Sequence, residues 1–321
     1  MIIGLGDYLL RYPTIRKQYL RFCVAIEEYS RFLPFKWYYI QKRLQGVSQK
    51  TFLTFPQKPS CFHIIYQICY MNGYRITNDP KEAASADVII FFEDKTKRVP
   101  LKTLQTLRKK YPVVNYLSRD ISKKRVTEVF EKIFGYSLAV NPLTCTDAYV
   151  KKADENSLHN GMILYQPEKQ QKGYIYQKLV NNVKGNEAVD IRVPVFRDTI
   201  PFVYIKKRAV QKRFHSLGNS AKIVQTQKVL SQAEQKKILA FCKKMGLDYA
   251  ELDVLRDTYS KKIYIVDANN TPGGPPHMLP KDDVKKVLQI MSDAFEKTFI
   301  QSKMMHRAGK KVEKFSLQLA S

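Results

Sequence analysis

Cysteine, histidine and acidic residues are all scarce in this chain of 321 residues, and each shortage removes a class of function. The five cysteines, Cys23, Cys61, Cys69, Cys145 and Cys242, are odd in number and lack any Cys-x-x-Cys spacing. Neither a disulfide framework nor a thiolate zinc site is expected from them. The five histidines, His63, His159, His215, His277 and His306, form no i, i+4 pair of the kind that holds zinc on a helix. No apolar run approaches the length of a membrane span, and the opening MIIGLGDYLL has no basic n-region and only a short apolar run, so a cytoplasmic protein is expected, with association on the cytoplasmic membrane face left open. Asp and Glu number 29 against 55 Lys and Arg, a formal net charge of +26, which is far more than solubility requires and implies an anionic partner. No helix-turn-helix, RNA-recognition or zinc-finger pattern accompanies that charge, so no specific nucleic acid is expected.

What is present is the composition of a globular protein, 44% hydrophobic and 26% charged. Residues 1–50 interleave aromatic and aliphatic residues (Tyr8, Leu10, Tyr19, Phe22, Phe35, Trp37, Tyr38) with Arg11, Arg16, Lys17, Arg21, Arg31, Lys36, Lys42 and Arg43. This basic amphipathic helical segment suits packing on its own domain, and it also suits peripheral contact of residues 1–46 with an anionic membrane surface. From Thr51 strands and helices alternate. Thr51–Phe55, Tyr74–Thr77, Asp87–Phe92 and Val113–Leu117 read as strands, and Cys61–Asn72 and Leu101–Lys110 as helices. Alternation of this kind predicts a small parallel α/β domain over 51–118. It carries no glycine-rich dinucleotide fingerprint.

The most informative chemistry lies late, in DYAELDVLRDTYSKKIYIVDANNTPGGPP. Two alternating runs, Tyr249–Leu255 and Ile263–Ala268, flank a polar turn near Ser260 and predict a hairpin. Pairing about Ser260 sets Asp253 opposite Asp267. Glu251, Asp253 and Leu255 then share one face of the first strand, and Ile265, Asp267 and Asn269 one face of the second. Carboxylates facing each other across a sheet repel unless a hard cation sits between them, and Mg2+ is the default candidate.

The phrase Asp267-Ala268-Asn269-Asn270-Thr271-Pro272-Gly273 resembles the acid-x-Asn-x-x-Pro-Gly ending of the ATP-grasp superfamily, and Leu252-Asp253-Val254-Leu255 resembles the strand before it. The resemblance covers about 119–300 and is to the carboxylate-amine ligases, whose cores include the ribosomal-protein glutamate ligase, glutathione synthetase and tubulin-tyrosine ligase types. It implies an α+β / α/β protein, an ATP-grasp core with a small parallel α/β domain in front, a hinge near 176–180 and a basic tail over 301–321. It further implies ATP and Mg2+ as cofactors, with Asp253, Asp267 and Asn269 as metal ligands. The helix capped by Ser122, with its stripe Val126, Val129, Phe130 and Ile133 ending at Gly135, resembles the family's entry helix. Lys123 is the phosphate lysine this implies, with Lys124 as rival. Ala148–Lys152 resembles the strand carrying the second lysine. Lys152 shares a face with Val150, and Lys151 points the other way. The chain departs from the family here, because KKADENSLHNG has only Gly161 where a glycine-rich phosphate loop is usual, and Asn156, Ser157, His159 or Asn160 would have to replace its amides.

Tyr174–Val180 resembles the hinge strand, placing Gln177, Lys178 and Leu179 against adenine and ribose. Asp190-Ile191-Arg192 and the strand from Ile200 to Arg208 resemble the family's paired arginine strands, which makes Arg192 and Arg208 the catalytic candidates for steadying an acyl phosphate. Asn219 and Ser220 lie in a polar stretch near the expected acceptor. A helix capped by Ser231 runs to Met245, with Ala240, Phe241 and Met245 inward, and another runs from Asp282 to Ile300. The implied activity is ATP-dependent joining of a carboxylate to an amine, with an anionic acceptor suggested by the charge. A kinase that stops at phosphoryl transfer and a catalytically silent basic adaptor are the alternatives.

Overall fold

The computed structural model describes residues 33–155, 160–214 and 218–301. Most of the basic N-terminal segment, the loop residues Asn156, Ser157 and His159, His215, and the tail from 302 lie outside the described residues. The chain divides into two compact units. The first takes residues up to Lys50 together with Cys69–Arg75. Within it residues 33–44 are helical, the Tyr39 and Tyr70 rings lie 5.2 Å apart, and Gln49 donates to the Tyr39 hydroxyl.

The second unit takes Thr51–Ile68 and everything from Ile76 onward. Its first sheet has the order β2-β1-β3-β4, built from β1 (Thr51–Pro56), β2 (Arg75–Thr77), β3 (Val88–Phe92) and β4 (Val113–Val114). β1 and β3 are parallel, as are β3 and β4. All five residues of β3 are buried, as a strand covered on both faces requires. The helix Lys102–Lys110 lays Leu104 and Leu107 into the cluster around Leu53, Ile89 and Phe91. The expected strand Val113–Leu117 is cut to two residues, because Asn115 turns to φ 58° and its amide side chain leaves the sheet for distant backbone.

Two antiparallel sheets follow. One is β6-β5-β7, from β5 (Tyr149–Ala153), β6 (Met162–Leu164) and β7 (Tyr174–Lys178). The other has the order β11-β10-β9-β12-β13, from β9 (Glu187–Phe196), β10 (Val203–Ala209), β11 (Ser220–Val224), β12 (Tyr249–Arg256) and β13 (Ile263–Asn269), with β8 (Val183–Lys184) added to β9. Ser220 therefore opens an edge strand rather than lying in a loop, its neighbours satisfied by pairing with β10.

Alternation makes this large sheet two-faced. Ile191, Val193, Val203, Leu252, Val254 and Ile265 join one core with the helices Lys123–Phe134 and Gln232–Met245. On the opposite face, Phe196 and Tyr249 pack under Phe295 of the helix Lys281–Phe295, the Tyr204 hydroxyl meets Met291 of the same helix, and beyond them Asp190, Arg192, Lys206, Arg208, Glu251 and Asp253 make the face charged. That last helix runs through the expected Ile300, α-helical over Lys281–Phe295 and widening to a π-helix over Glu296–Gln301. On Gln232–Met245 the buried stripe is Ile238, Phe241, Cys242 and Met245, whereas Ala240 is exposed. The spacing 238, 241, 242, 245 keeps one face, and Ala240 falls outside it. Gly246 ends this helix at φ 72°, where a Cβ would stand 2.5 Å from the Leu117 backbone. Among the described residues no helix is long and apolar enough to cross a membrane.

Candidate functional site

The charged face of the large sheet assembles from alternate residues of four strands. On the hairpin β12–β13, Asp253 pairs with Asp267 and Glu251 with Asn269. The pairing nearer the turn is not the one expected. Val254 faces Ile265 and Leu255 faces Tyr264, with a bulge between Asp253 and Val254. The extra residue, Val266, restores the acid pair and sends Ile265 into the core, away from the face it was expected to share with Asp267 and Asn269. The turn itself is tied by Asp257, which accepts from the amides of Tyr259 and Ser260 and from the Ser260 hydroxyl.

Arg192 sits on β9 directly beside Asp253. Its Nε donates to Asp253 Oδ1 at 3.1 Å and its Nη1 lies 3.6 Å from Glu251 Oε2. Burial alone would raise the Asp253 carboxyl, but Arg192 and then Lys206 outweigh it and hold it below the usual carboxylate range. Glu251 is 5% exposed, its Oε1 has no partner among the described residues, and burial lifts its pKa to about 7 against the pull of Arg192. One strand further out, Arg208 pairs with Asp190 at 2.7 Å and donates to the Arg213 carbonyl. Of the two arginines expected to act, Arg192 therefore lies beside the acid pair, and Arg208 is committed to Asp190.

Both expected lysines act on Asp267 through their charge, although among the described residues neither forms an ion pair with it. Lys123 opens its helix behind the Ser122 cap, and its ammonium donates to the Glu155 carbonyl. Lys152 projects from β5 above the Phe214 ring at 6.0 Å. Burial raises Asp267 to about 6, while the Lys123 charge pulls it down, Asp253 pushes it up and Lys152 pulls it down again. Lys152 is lowered to about 8 by burial, with Asp267 opposing and Lys123 adding to the shift. The rivals lie elsewhere, Lys124 exposed and Lys151 paired with Glu168 at 2.8 Å. Gly161 is the glycine against which the Phe214 ring rests, since a Cβ there would come within 2.6 Å of the ring.

On β7, the strand expected to form the hinge, Gln177 is buried. Its Nε2 donates to Thr127 on the Lys123 helix, and its Oε1 has no partner among the described residues. Lys178 is exposed, and its amide donates to the Leu138 carbonyl. Leu179 is partly buried. Asn269 belongs to the face, but its Oδ1 accepts from the Thr271 amide at 2.8 Å and hydroxyl at 3.3 Å. Thr271 in turn reaches Asp94 at the end of β3. Asn219 donates its amide to the Lys207 carbonyl, which fixes the start of the edge strand.

Sequence reasoning missed Lys206, Asp190 and Arg213, and set Glu251 on the face without a role. Lys206 and Asp190 are Cα partners across β10 and β9, and no local pattern marks that pairing. Among the described residues no group of three or more His, Cys, Asp or Glu side chains is gathered tightly enough to hold a metal ion. Two carboxylates on one rung are a different donor set, hard oxygens with part of each left over. Asp253 Oδ1 accepts from Arg192 and Asp267 Oδ1 accepts from the Ala268 amide, and Oδ2 of each is engaged by no described residue. That set fits Mg2+, which takes one or two carboxylates and fills its remaining positions with phosphate oxygens and water.

No protein-family model and no curated protein matches the chain. Solved structures do. The D-Ala:D-Ser ligase VanG of Enterococcus faecalis superposes with a TM-score of 0.51 at 14% identity, covering 79% of this chain and 100% of that one. A D-alanine–D-alanine ligase of Bacillus anthracis gives 0.48 at 13% identity, covering 80% and 99%, and the ATP-grasp ligase PsnB with its minimal precursor gives 0.48 at 11%, covering 78% and 99%. The chain therefore has the ATP-grasp fold expected from its sequence.

Proposed function

We propose that the protein is an ATP-dependent ligase that activates a carboxylate as an acyl phosphate and joins it to an amine. The observation that carries this reading is the convergence of Lys123, Lys152, Asp253 and Asp267, from a helix and three strands in two sheets, on one charged floor beside Arg192. Two lysines whose charges act on one half-buried aspartate supply the kind of cationic surroundings a polyphosphate needs.

Asp253 and Asp267 would hold Mg2+, which when bound supplies neutralising charge to the phosphates of ATP. Lys123 and Lys152 bind the phosphate oxygens, and the Phe214 ring over Lys152 limits water there. Adenine lies along the hinge, where the Lys178 amide is already used by Leu138 and its carbonyl, on the same strand edge, is the group that can accept from the base. The substrate carboxylate oxygen attacks the γ-phosphorus, the bond from that phosphorus to the ADP oxygen breaks, and ADP departs. The amine nitrogen then attacks the acyl carbon, the carbon–oxygen bond to phosphate breaks, and phosphate leaves as the amine proton passes to solvent. Arg192, anchored on Asp253, donates to oxygens that gain charge in both steps.

Amine-dependent release of ADP, screened with amino acids and uronic acids as the acids, tests the reading. Asp267→Asn should abolish that release, while the melting temperature without nucleotide stays at or above wild type. ADP release that ignores the amine would instead indicate phosphoryl transfer alone. A protein showing no thermal shift with ATP and Mg2+ would remove the nucleotide reading altogether.

A further inference from the structure

The charged face holds one cation too many. Going outward from the hairpin, Arg192 is shared by Asp253 and Glu251, and Arg208 is taken by Asp190 at 2.7 Å. Asp267 is under the charge of Lys123 and Lys152. Lys206 stands on β10 between Tyr204, the Cα partner of Arg192, and Arg208. It is only 8% exposed, yet no ion pair or hydrogen bond among the described residues engages its ammonium. Its partner on the far side is Ala221 of the edge strand, which offers no oxygen from its side chain. Burial lowers its pKa, and the charges of Arg192 and Arg208 add to that against the attraction of Asp253 and Asp190.

A desolvated ammonium whose carboxylate neighbours, Asp253 and Asp190, are each already paired with an arginine is left without an ion pair, which costs the fold stability. Buried groups kept at such a cost mark binding or catalytic positions, where a ligand supplies the missing charge. We infer that Lys206 receives the carboxylate of the acid substrate. The inference rests on the ligase reading, which places the nucleotide phosphates over Asp267 and Asp253. A phosphoryl group leaving ADP then arrives beside Arg192. The acid that accepts it approaches from the β10 side, where Lys206 is the first unpaired cation. Arg192 and Lys206 divide the work, one following the phosphoryl group and the other docking the carboxylate.

The test uses the full chain, loaded with ADP and Mg2+, and measures by calorimetry the binding of propionate and of inorganic phosphate to wild type, Lys206→Met and the exposed-lysine control Lys222→Met. Methionine matches the length of the lysine stem without its charge. Propionate binding should weaken at least tenfold in Lys206→Met and stay unchanged in Lys222→Met, with ADP affinity equal in all three. Melting temperature supplies a reading that a merely structural lysine would not produce. Lys206→Met should melt at or above wild type without ligand, because an uncompensated charge has been removed. Should the variant not fold, acetylation of wild-type Lys206 by limiting acetic anhydride, followed by mass spectrometry, should slow when propionate is present. Propionate binding or acetylation that ignores Lys206 overturns the inference. A loss confined to phosphate also overturns it, by giving the residue to the transferred group. If wild type binds propionate through Lys206 but binds no ADP, the anion site stands and the nucleotide reading fails instead.

Discussion

Glu251 shows how much a single buried carboxylate depends on its neighbours. It is 5% exposed, shares Arg192 with Asp253 at 3.6 Å, and its pKa is raised from the ordinary 4.5 to about 7. A carboxyl whose folded pKa is raised binds its proton more tightly in the folded state than in the unfolded one. Folding stability therefore increases as pH falls from about 7 towards 4.5, and above that window the ionised form opposes folding. Glu251→Gln should accordingly raise the melting temperature at pH 8, by on the order of 1–3 kcal/mol of stability. At pH 4.5 it should change little. Melting curves across that range check this, and a variant less stable than wild type at pH 8 would mean that the Arg192 contact outweighs desolvation.

The helix Gln232–Met245 and the hairpin end are joined by a pair of the opposite sign. Ser231 and Glu234 form a capping box, and the Glu234 oxygens each accept from Arg256, at 2.7 and 2.9 Å. Burial would raise the Glu234 carboxyl, but the Arg256 bonds and the Ser231 amide hold it below its ordinary value. Its contribution is present above the unfolded pKa and is lost as pH falls below 4.5 through the lower folded value. Glu234→Gln should cost about 1–2 kcal/mol at pH 7, with the gap to wild type closing under acid. Urea titrations at pH 7 and pH 3.5 would read both limbs. The cap was legible in the sequence, because Ser-x-x-Glu before an apolar stripe is a local pattern. Arg256 as its partner was not, since it lies 22 residues away on another element.

Across the whole second unit, Asn115 ties the parallel sheet to the hairpin that carries the acids. Its amide accepts from the backbone of Asp248 and Tyr249, donates to the carbonyls of Tyr249 and Asn270, and its own backbone N–H donates to Asp248. The residue is fully buried at φ 58°, a conformation asparagine tolerates better than most. Asn115→Ala should cost about 3–5 kcal/mol, since it strands several buried backbone groups and keeps the strained φ. Asn115→Gly should be less damaging by about 1 kcal/mol, because glycine adopts that φ freely. Denaturant midpoints for the two variants, compared with nucleotide affinity, would show whether this joint also holds the acid rung in place.

The hairpin, its two aspartates, the capped helix of Lys123 and the inward side of β5 were all written in the sequence, because period-two and period-3.6 patterns are local and decide which residues share a face. The bulge at Val266 was not, since an apolar residue in an apolar run fits either register until its partner strand selects one. Only the tertiary structure set Lys206 beside Asp190, Arg192 beside Asp253 and Asn115 beside Tyr249. Charge balance at the floor depends on which strands are neighbours, and strand order is a property of the whole fold rather than of any stretch within it.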